Sequence, residues 1–179
     1  YSVAIADNLG PSYGFEDSVT GNVAYTWEEI SSTGTRLETI SNAYYGQQLI
    51  QLSQFTFPYF GSTFSQIYVM PNGALTLGQP HWLYDNYYGL PSPYVPGNLI
   101  APFWDYLDTR TIGDIYFKEE SDRLIIQYEN VGRIGGGTSS AYTFQVVLFA
   151  DGRIQFRYKT MVGVLNSATI GIQDSSRSI

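Results

Sequence analysis

The sequence predicts an all-β protein: an antiparallel β-sandwich, or a flattened barrel, with long loops. Three observations carry that reading. Short apolar runs alternate with period two, glycine-containing turn signals separate them, and almost no stretch shows a helical period.

The elements follow in order. "QLIQLSQFTFPYFG" alternates from Leu49 to Phe57 and stops at Pro58 and Gly61, which predicts one strand over that length. "FSQIYVMPNGALTLG" places Phe64, Ile67 and Val69 before a Pro71-Asn72-Gly73 turn and Ala74, Leu75 and Leu77 after it. Asn-Gly supplies the positive φ of a tight hairpin. A second hairpin runs Ile115 to Phe117, a polar turn Glu119 to Asp122, then Leu124 to Tyr128. A third turns at Asp151-Gly152, read as a two-residue loop, with Ile154, Phe156 and Tyr158 on one face and Arg153, Gln155 and Arg157 on the other. "ATIGIQD" is the last strand, and "GRIGGGTSSA" is a loop by composition. Before Thr39 the pattern is less regular, with one strand and a turn expected in "YTWEEISSTGTRL".

At 179 residues the chain is read as one domain, 1–179, large enough to bury a core without metals or disulfides. Aromatic residues make up 16% and charged residues only 14%, so Ser, Thr, Asn, Gln and Tyr must supply much of the polar surface. That balance suits an extracellular β-protein. A formal charge of −7 without a basic cluster disfavours nucleic acid and anionic membranes. The absence of cysteine removes disulfides, zinc–thiolate sites and cysteine nucleophiles, and leans a secreted domain of this size towards bacteria. No run is long enough to be a transmembrane helix, so membrane insertion is not expected. The chain begins at Tyr1 and is read as a mature piece of a larger secreted or surface protein.

Four ordered segments resemble the nidogen-type (NIDO) extracellular domain. The matching positions are Phe57-Pro58-Tyr59-Phe60-Gly61, Asn72-Gly73, Ala101 to Trp104 with Asp108, Tyr116, Tyr128-Glu129 with Val131, and Phe144-Gln145 with Leu148. The resemblance spans about residues 48–174 and leaves 1–45 as lead-in strands. It implies an extracellular, adhesion-related module without catalytic activity, of a kind that also occurs in large secreted bacterial proteins. It carries no ligand-binding residue set.

The candidate sites come from the residues themselves. "QPHWLYDNYYGLPSPYVPGN", residues 79–98, has neither strand nor helix period, yet holds five rings, the single histidine and four prolines. His81, Trp82, Tyr84, Tyr87, Tyr88 and Tyr94 are the candidate ligand-binding residues, because flat apolar faces with polar tips suit sugar rings and peptides. Most of these rings are expected to pack over an open sandwich end, with Trp82 and Tyr84 at the surface. His81 lacks the Gly-x-Ser-x-Gly elbow that a serine hydrolase would pair with it.

Asp105, Asp108 and Asp114 fall within ten residues and are candidate Ca²⁺ ligands, although no EF-hand pattern surrounds them. The competing expectation is that Asp105 and Asp108 shape a turn by accepting backbone amides, with Arg110 paired to one of them. Glu119, Glu120 and Asp122 are expected to be solvated, and Phe103, Trp104 and Trp27 to be core. No catalytic residue is assigned. The leading function is recognition of an extracellular glycan or protein through the aromatic loop. A spacer contacting neighbouring domains of its own chain and a carboxylate glycosidase are the alternatives.

Overall fold

The computed structural model describes residues 2–6 by backbone alone, and 12–21, 23–83, 85–136 and 139–179 in full. The chain folds into β1 (Ser2–Ala6), β2 (Gly14–Asp17), β3 (Thr35–Arg36), β4 (Gln48–Gln51), β5 (Phe57–Tyr59), β6 (Ser62–Phe64), β7 (Gln66–Val69) and β8 (Leu75–Leu77). These are followed by β9 (Leu99–Trp104), β10 (Leu107–Asp108), β11 (Asp114–Glu119), β12 (Arg123–Arg133), β13 (Ala141–Phe149), β14 (Ile154–Val162) and β15 (Thr169–Gln173). The first of two large sheets has the order β2-β1-β14-β13-β12-β11-β3, with β10 paired to β12, and the second has the order β15-β9-β8-β7-β4; β5 and β6 pair as a separate two-stranded ribbon. Every strand pairing among the described residues is antiparallel. The sheets do not close on each other, so the arrangement is a sandwich and not a flattened barrel.

The core between the sheets follows from the alternation. Ile50, Ile67, Val69, Leu75, Leu77, Ile100 and Phe103 face Leu124, Ile126, Tyr128, Phe144, Val146, Leu148, Ile154 and Phe156. Tyr128 and Phe144 stack across neighbouring strands with centroids 4.4 Å apart. Each buried side chain of this size contributes about 1.5–3 kcal/mol by leaving water.

All three expected hairpins form, with two refinements. Gly73 takes φ +83° and its amide bonds back to Met70 O, closing a three-residue Pro71-Asn72-Gly73 loop. Phe149 N donates to Arg153 O, so the third hairpin also has a three-residue loop, Ala150-Asp151-Gly152, and not two. The Phe57–Gly61 motif is a tight turn in which both Phe60 (φ +44°) and Gly61 (φ +78°) are left-handed. A bulky residue there is strained. The Phe60 ring is held by Tyr59 at 4.7 Å and Tyr13 at 4.8 Å.

The single strand expected from Leu49 to Phe57 is instead two. Glu119 accepts the amides of Ser53 (2.7 Å) and Gln54 (2.9 Å) and the Ser53 hydroxyl (2.8 Å), turning the chain out of the sheet between β4 and β5. Glu119 is therefore a clamp and not a solvated turn residue. Glu120 is likewise engaged, bridging Lys118 and Arg123 at 2.7 Å each.

Each sheet has its outer face crossed by an irregular strap. Residues 23–30 cross the first sheet with no strand of their own; the strand and turn expected in 25–37 fall at its end, as a turn at 31–33 and the two-residue β3. Ile30 packs on Ile125 and Val147. Buried Gln145 donates to Glu28 O at 2.6 Å and to Gln127 Oε1 at 2.8 Å, and Gln127 Oε1 also accepts the Ile30 amide. Trp27 lies on this strap half-buried under Lys159 and not in the core as expected. The second strap is the 79–98 loop.

Candidate binding surface

The loop leaves the end of β8, runs along the outer face of the second sheet, turns back at its far end and returns to β9. This course explains why every residue of β9 is buried. One face of β9 looks into the sandwich. The other, with Leu99, Ala101 and Trp104, is covered by Leu83, Leu90 and Val95 of the loop. Aliphatic side chains thus do the packing. Tyr87, Tyr88 and Tyr94, which were expected to pack, point outward at 84%, 55% and 75% exposure, and Trp82, expected at the surface, is 64% exposed. Tyr84 lies outside the described residues.

Side-chain amides fix the loop's course at four places. Gln47 Oε1 accepts the His81 amide at 3.0 Å, and Asn72 donates to Leu83 O at 2.9 Å. The Asn86 amide lies within reach of Trp104 O (3.0 Å), Ser167 O (2.6 Å) and Thr169 Oγ1 (3.1 Å). Buried Gln173 accepts the Ser92 amide at 2.6 Å and donates to Pro96 O at 2.9 Å. Arg177 adds a bond to Pro93 O at 3.0 Å. His81 is half-buried, and its imidazole is made harder to protonate by burial and by the Arg177 charge.

The exposed rings form two contact groups. On the return leg Tyr88 meets Tyr87 edge-on at 5.3 Å and Tyr94 at 4.9 Å. On the outgoing leg Trp82 lies 6.5 Å from Tyr45, which meets Tyr44 edge-on at 4.6 Å. Sequence reasoning missed Tyr44 and Tyr45 because they precede β4, in what was read as lead-in chain. A signal was present: Tyr44-Tyr45-Gly46 repeats the Tyr87-Tyr88-Gly89 pattern, and both glycines take positive φ.

The three candidate metal ligands do not come together. Asp105 is fully buried, accepting from Arg133 Nε (3.1 Å), Ser167 Oγ (2.6 Å) and the Tyr106 amide (2.8 Å). Asp108 takes a forked bond from Arg110, at 2.9 and 2.7 Å, and the Arg110 amide at 2.9 Å. Asp114 is taken by Arg36 at 2.6 Å. Among the described residues no group of acidic or histidine side chains is placed to hold a metal ion. Each of the three carboxylates named in the calcium expectation has a guanidinium partner of its own. The turn-shaping expectation for Asp105 and Asp108, and the Arg110 pairing, match the observed geometry. For Asp108 burial opposes ionisation, but the Arg110 hydrogen bonds and charge outweigh it and hold the carboxyl below its usual value.

Two of the three paired arginines in turn stack on tyrosines, Arg110 over Tyr44 at 4.2 Å and Arg133 over Tyr106 at 5.7 Å. A cleft of about 80 Å³ lined by Tyr44, Tyr106, Asn72 and Ile134 lies between these stacks. It has room for a single small side chain or one edge of a sugar. Chemically the surface offers apolar planes, hydroxyls and oriented cations.

A family model described as "NIDO related" matches residues 18–179. No solved structure matches the chain. No helix among the described residues is long and apolar enough to cross a membrane.

Proposed function

The chain belongs to the NIDO-related family, and on that premise we propose that it is an extracellular recognition module. It binds a neutral glycan or a protein partner through the rings displayed by the 79–98 loop and the Tyr44–Tyr45 pair. As part of a secreted or surface-held protein, it would serve adhesion and not catalysis.

The observation that supports this reading is the division of labour within the loop. Leu83, Leu90 and Val95 cover β9, so the outward rings add nothing to that cover. Exposed aromatic clusters of this kind are characteristic of interaction sites. The charge of −7 favours a neutral partner over a polyanion. The carboxylates that a glycosidase would use are tied to Arg133 and Arg110, and Asp108 is held ionised, the opposite of what an acid catalyst requires.

The test is retention on arrays of immobilised neutral glycans and extracellular-matrix proteins, comparing the native chain with a Trp82→Ala/Tyr88→Ala variant. Retention by the native chain and its loss in the variant, at unchanged melting temperature, is the expected result. Equal retention by both would overturn the assignment to these rings. No retention on any surface, combined with stabilisation by flanking domains, would replace it with a spacer role.

A further inference from the structure

The tyrosines on the return leg of the 79–98 loop are arranged for chemistry that recognition alone does not require. Tyr88 and Tyr94 overlap with their centroids 4.9 Å apart and their planes only 33° apart. Tyr87 meets Tyr88 differently, at 5.3 Å with planes 88° apart, so that an edge is set against a face. Both members of the overlapping pair are exposed.

The backbone is fixed on either side of each ring. Before Tyr88, the Asn86 side chain is tied to Trp104 O, and the Asn86 carbonyl accepts the Gly89 amide at 3.1 Å. Between the two rings, Leu90 packs on the outer face of β9 and buried Gln173 accepts the Ser92 amide. Ser92 Oγ accepts the Tyr94 amide at 3.2 Å, and Arg177 holds Pro93 O. Two exposed phenols are thus kept in contact by anchors that belong largely to other segments.

We propose that Tyr88 and Tyr94 form an oxidative cross-linking site, at which a peroxidase-type one-electron oxidant joins the two rings as dityrosine. Each phenol gives up one electron and its hydroxyl proton to become a phenoxyl radical. The unpaired electron is shared with the ring carbons ortho to oxygen, Cε1 and Cε2. A carbon–carbon bond forms between one ortho carbon of each ring, and the hydrogen on each of those carbons moves to its oxygen, restoring both hydroxyls. The two electrons and two protons released go to hydrogen peroxide, which becomes two molecules of water. Turning either ring about its Cβ–Cγ axis swings an ortho carbon towards its neighbour. From a centroid separation of 4.9 Å, carbon contact at about 3.5–4.0 Å is within reach. The edge-to-face Tyr87–Tyr88 pair is less suited to joining two ring edges.

The rest of the molecule offers such an oxidant few alternatives. The chain has no cysteine, and Met70, Tyr59, Tyr128 and Tyr142 are buried. A disulfide cannot fasten this loop, whereas the tyrosine pair can. The new bond closes residues 88–94 into a ring and holds Leu90 down on β9, whatever the surface binds.

The test exposes the native chain at micromolar concentration to a haem peroxidase and hydrogen peroxide. Two groups in one loop meet at an effective concentration of about millimolar or more, so the internal link outpaces links between chains. The readouts are dityrosine fluorescence and peptide mass spectrometry. The expected product is a monomer whose peptide spanning both rings has lost two hydrogens and yields no fragment ions between Tyr88 and Tyr94. Fluorescence should fall at least about tenfold in Tyr94→Phe and stay at the native level in Tyr87→Phe, because the held contact supplies the rate. Melting temperatures of both variants should match the native chain, since only exposed hydroxyls are removed. Equal fluorescence in Tyr94→Phe would overturn the proposal. So would links between chains in place of the internal one, or no link under conditions that couple free tyrosine.

Discussion

The side-chain amide of Asn86 donates to the carbonyl oxygen of Trp104 at 3.0 Å, tying the turning point of the aromatic loop to the last residue of β9. The same amide reaches Ser167 and Thr169, so one residue joins three segments at this end of the sandwich. Asn86→Ala should lower stability by about 1–2 kcal/mol, the scale of lost hydrogen bonds to buried carbonyls. Limited proteolysis should then cut first within residues 79–98, while far-ultraviolet circular dichroism stays native-like.

The rings that the loop displays should behave differently. Tyr87→Ala and Tyr94→Ala each remove a side chain that is at least 75% exposed, so each should change stability by no more than about 0.5 kcal/mol in urea unfolding. A larger loss from either would show that these rings contribute to packing.

Gly73 answers to two constraints at once. It takes φ +83°, and a Cβ there would lie 2.0 Å from the carbonyl oxygen of Phe103. Gly89 takes φ +63° with open space around it. Gly89→Ala should cost about 1–2 kcal/mol from backbone strain alone. Gly73→Ala should cost more than about 3 kcal/mol, because the β7–β8 hairpin must also withdraw from β9. Melting temperatures of the pair separate the two effects.

Glu119→Ala leaves the Ser53 and Gln54 amides without their acceptor and should destabilise by about 1–2 kcal/mol, as the loss of a helix cap does. Exchange of those two amides should quicken more than that of β7 or β8.

Stability should fall at both extremes of pH. In Glu29, Glu119, Asp108 and Asp174 burial favours the neutral form, but hydrogen bonds outweigh it and lower each pKa. A depressed folded pKa adds stability above the ordinary values of 3.8 for Asp and 4.5 for Glu, and that stability is lost as pH falls through the folded values. Tyr13, Tyr59, Tyr128 and Tyr158 are shifted the other way by burial. Their contribution is complete below the ordinary 10.0 and is lost as pH rises above it. The melting temperature should be level near neutrality and drop below about pH 4 and above about pH 10. Tyrosinate absorbance from the four should appear together with loss of the β-sheet signal.

The hairpins were legible in the sequence because their cause is local. Gly73 and Gly152 take the left-handed turn, and the flanking residues alternate. The break between β4 and β5 was not legible, because its cause is Glu119, 66 residues from Ser53. The acids illustrate the same limit. Asp105, Asp108 and Asp114 are close in sequence, yet Arg133 lies 28 residues from the first and Arg36 lies 78 from the last. Spacing alone could not reveal that these cations arrive first. In the loop the prolines and rings drew attention, while Leu83, Leu90 and Val95, which decide its course, carried no periodic signal. Tyr44 and Tyr45 could have been found from the repeated Tyr-Tyr-Gly.

The outer face of β9 is apolar and must be covered whatever the protein binds. Leu83, Asn86, Leu90 and Val95 meet that need, and they alternate along the chain with Trp82, Tyr87, Tyr88 and Tyr94, which do not. The lid and the display are therefore written in one stretch of chain with separate letters. A library randomised at the four outward positions should yield folded members throughout, so the surface can be rewritten without redesigning the core.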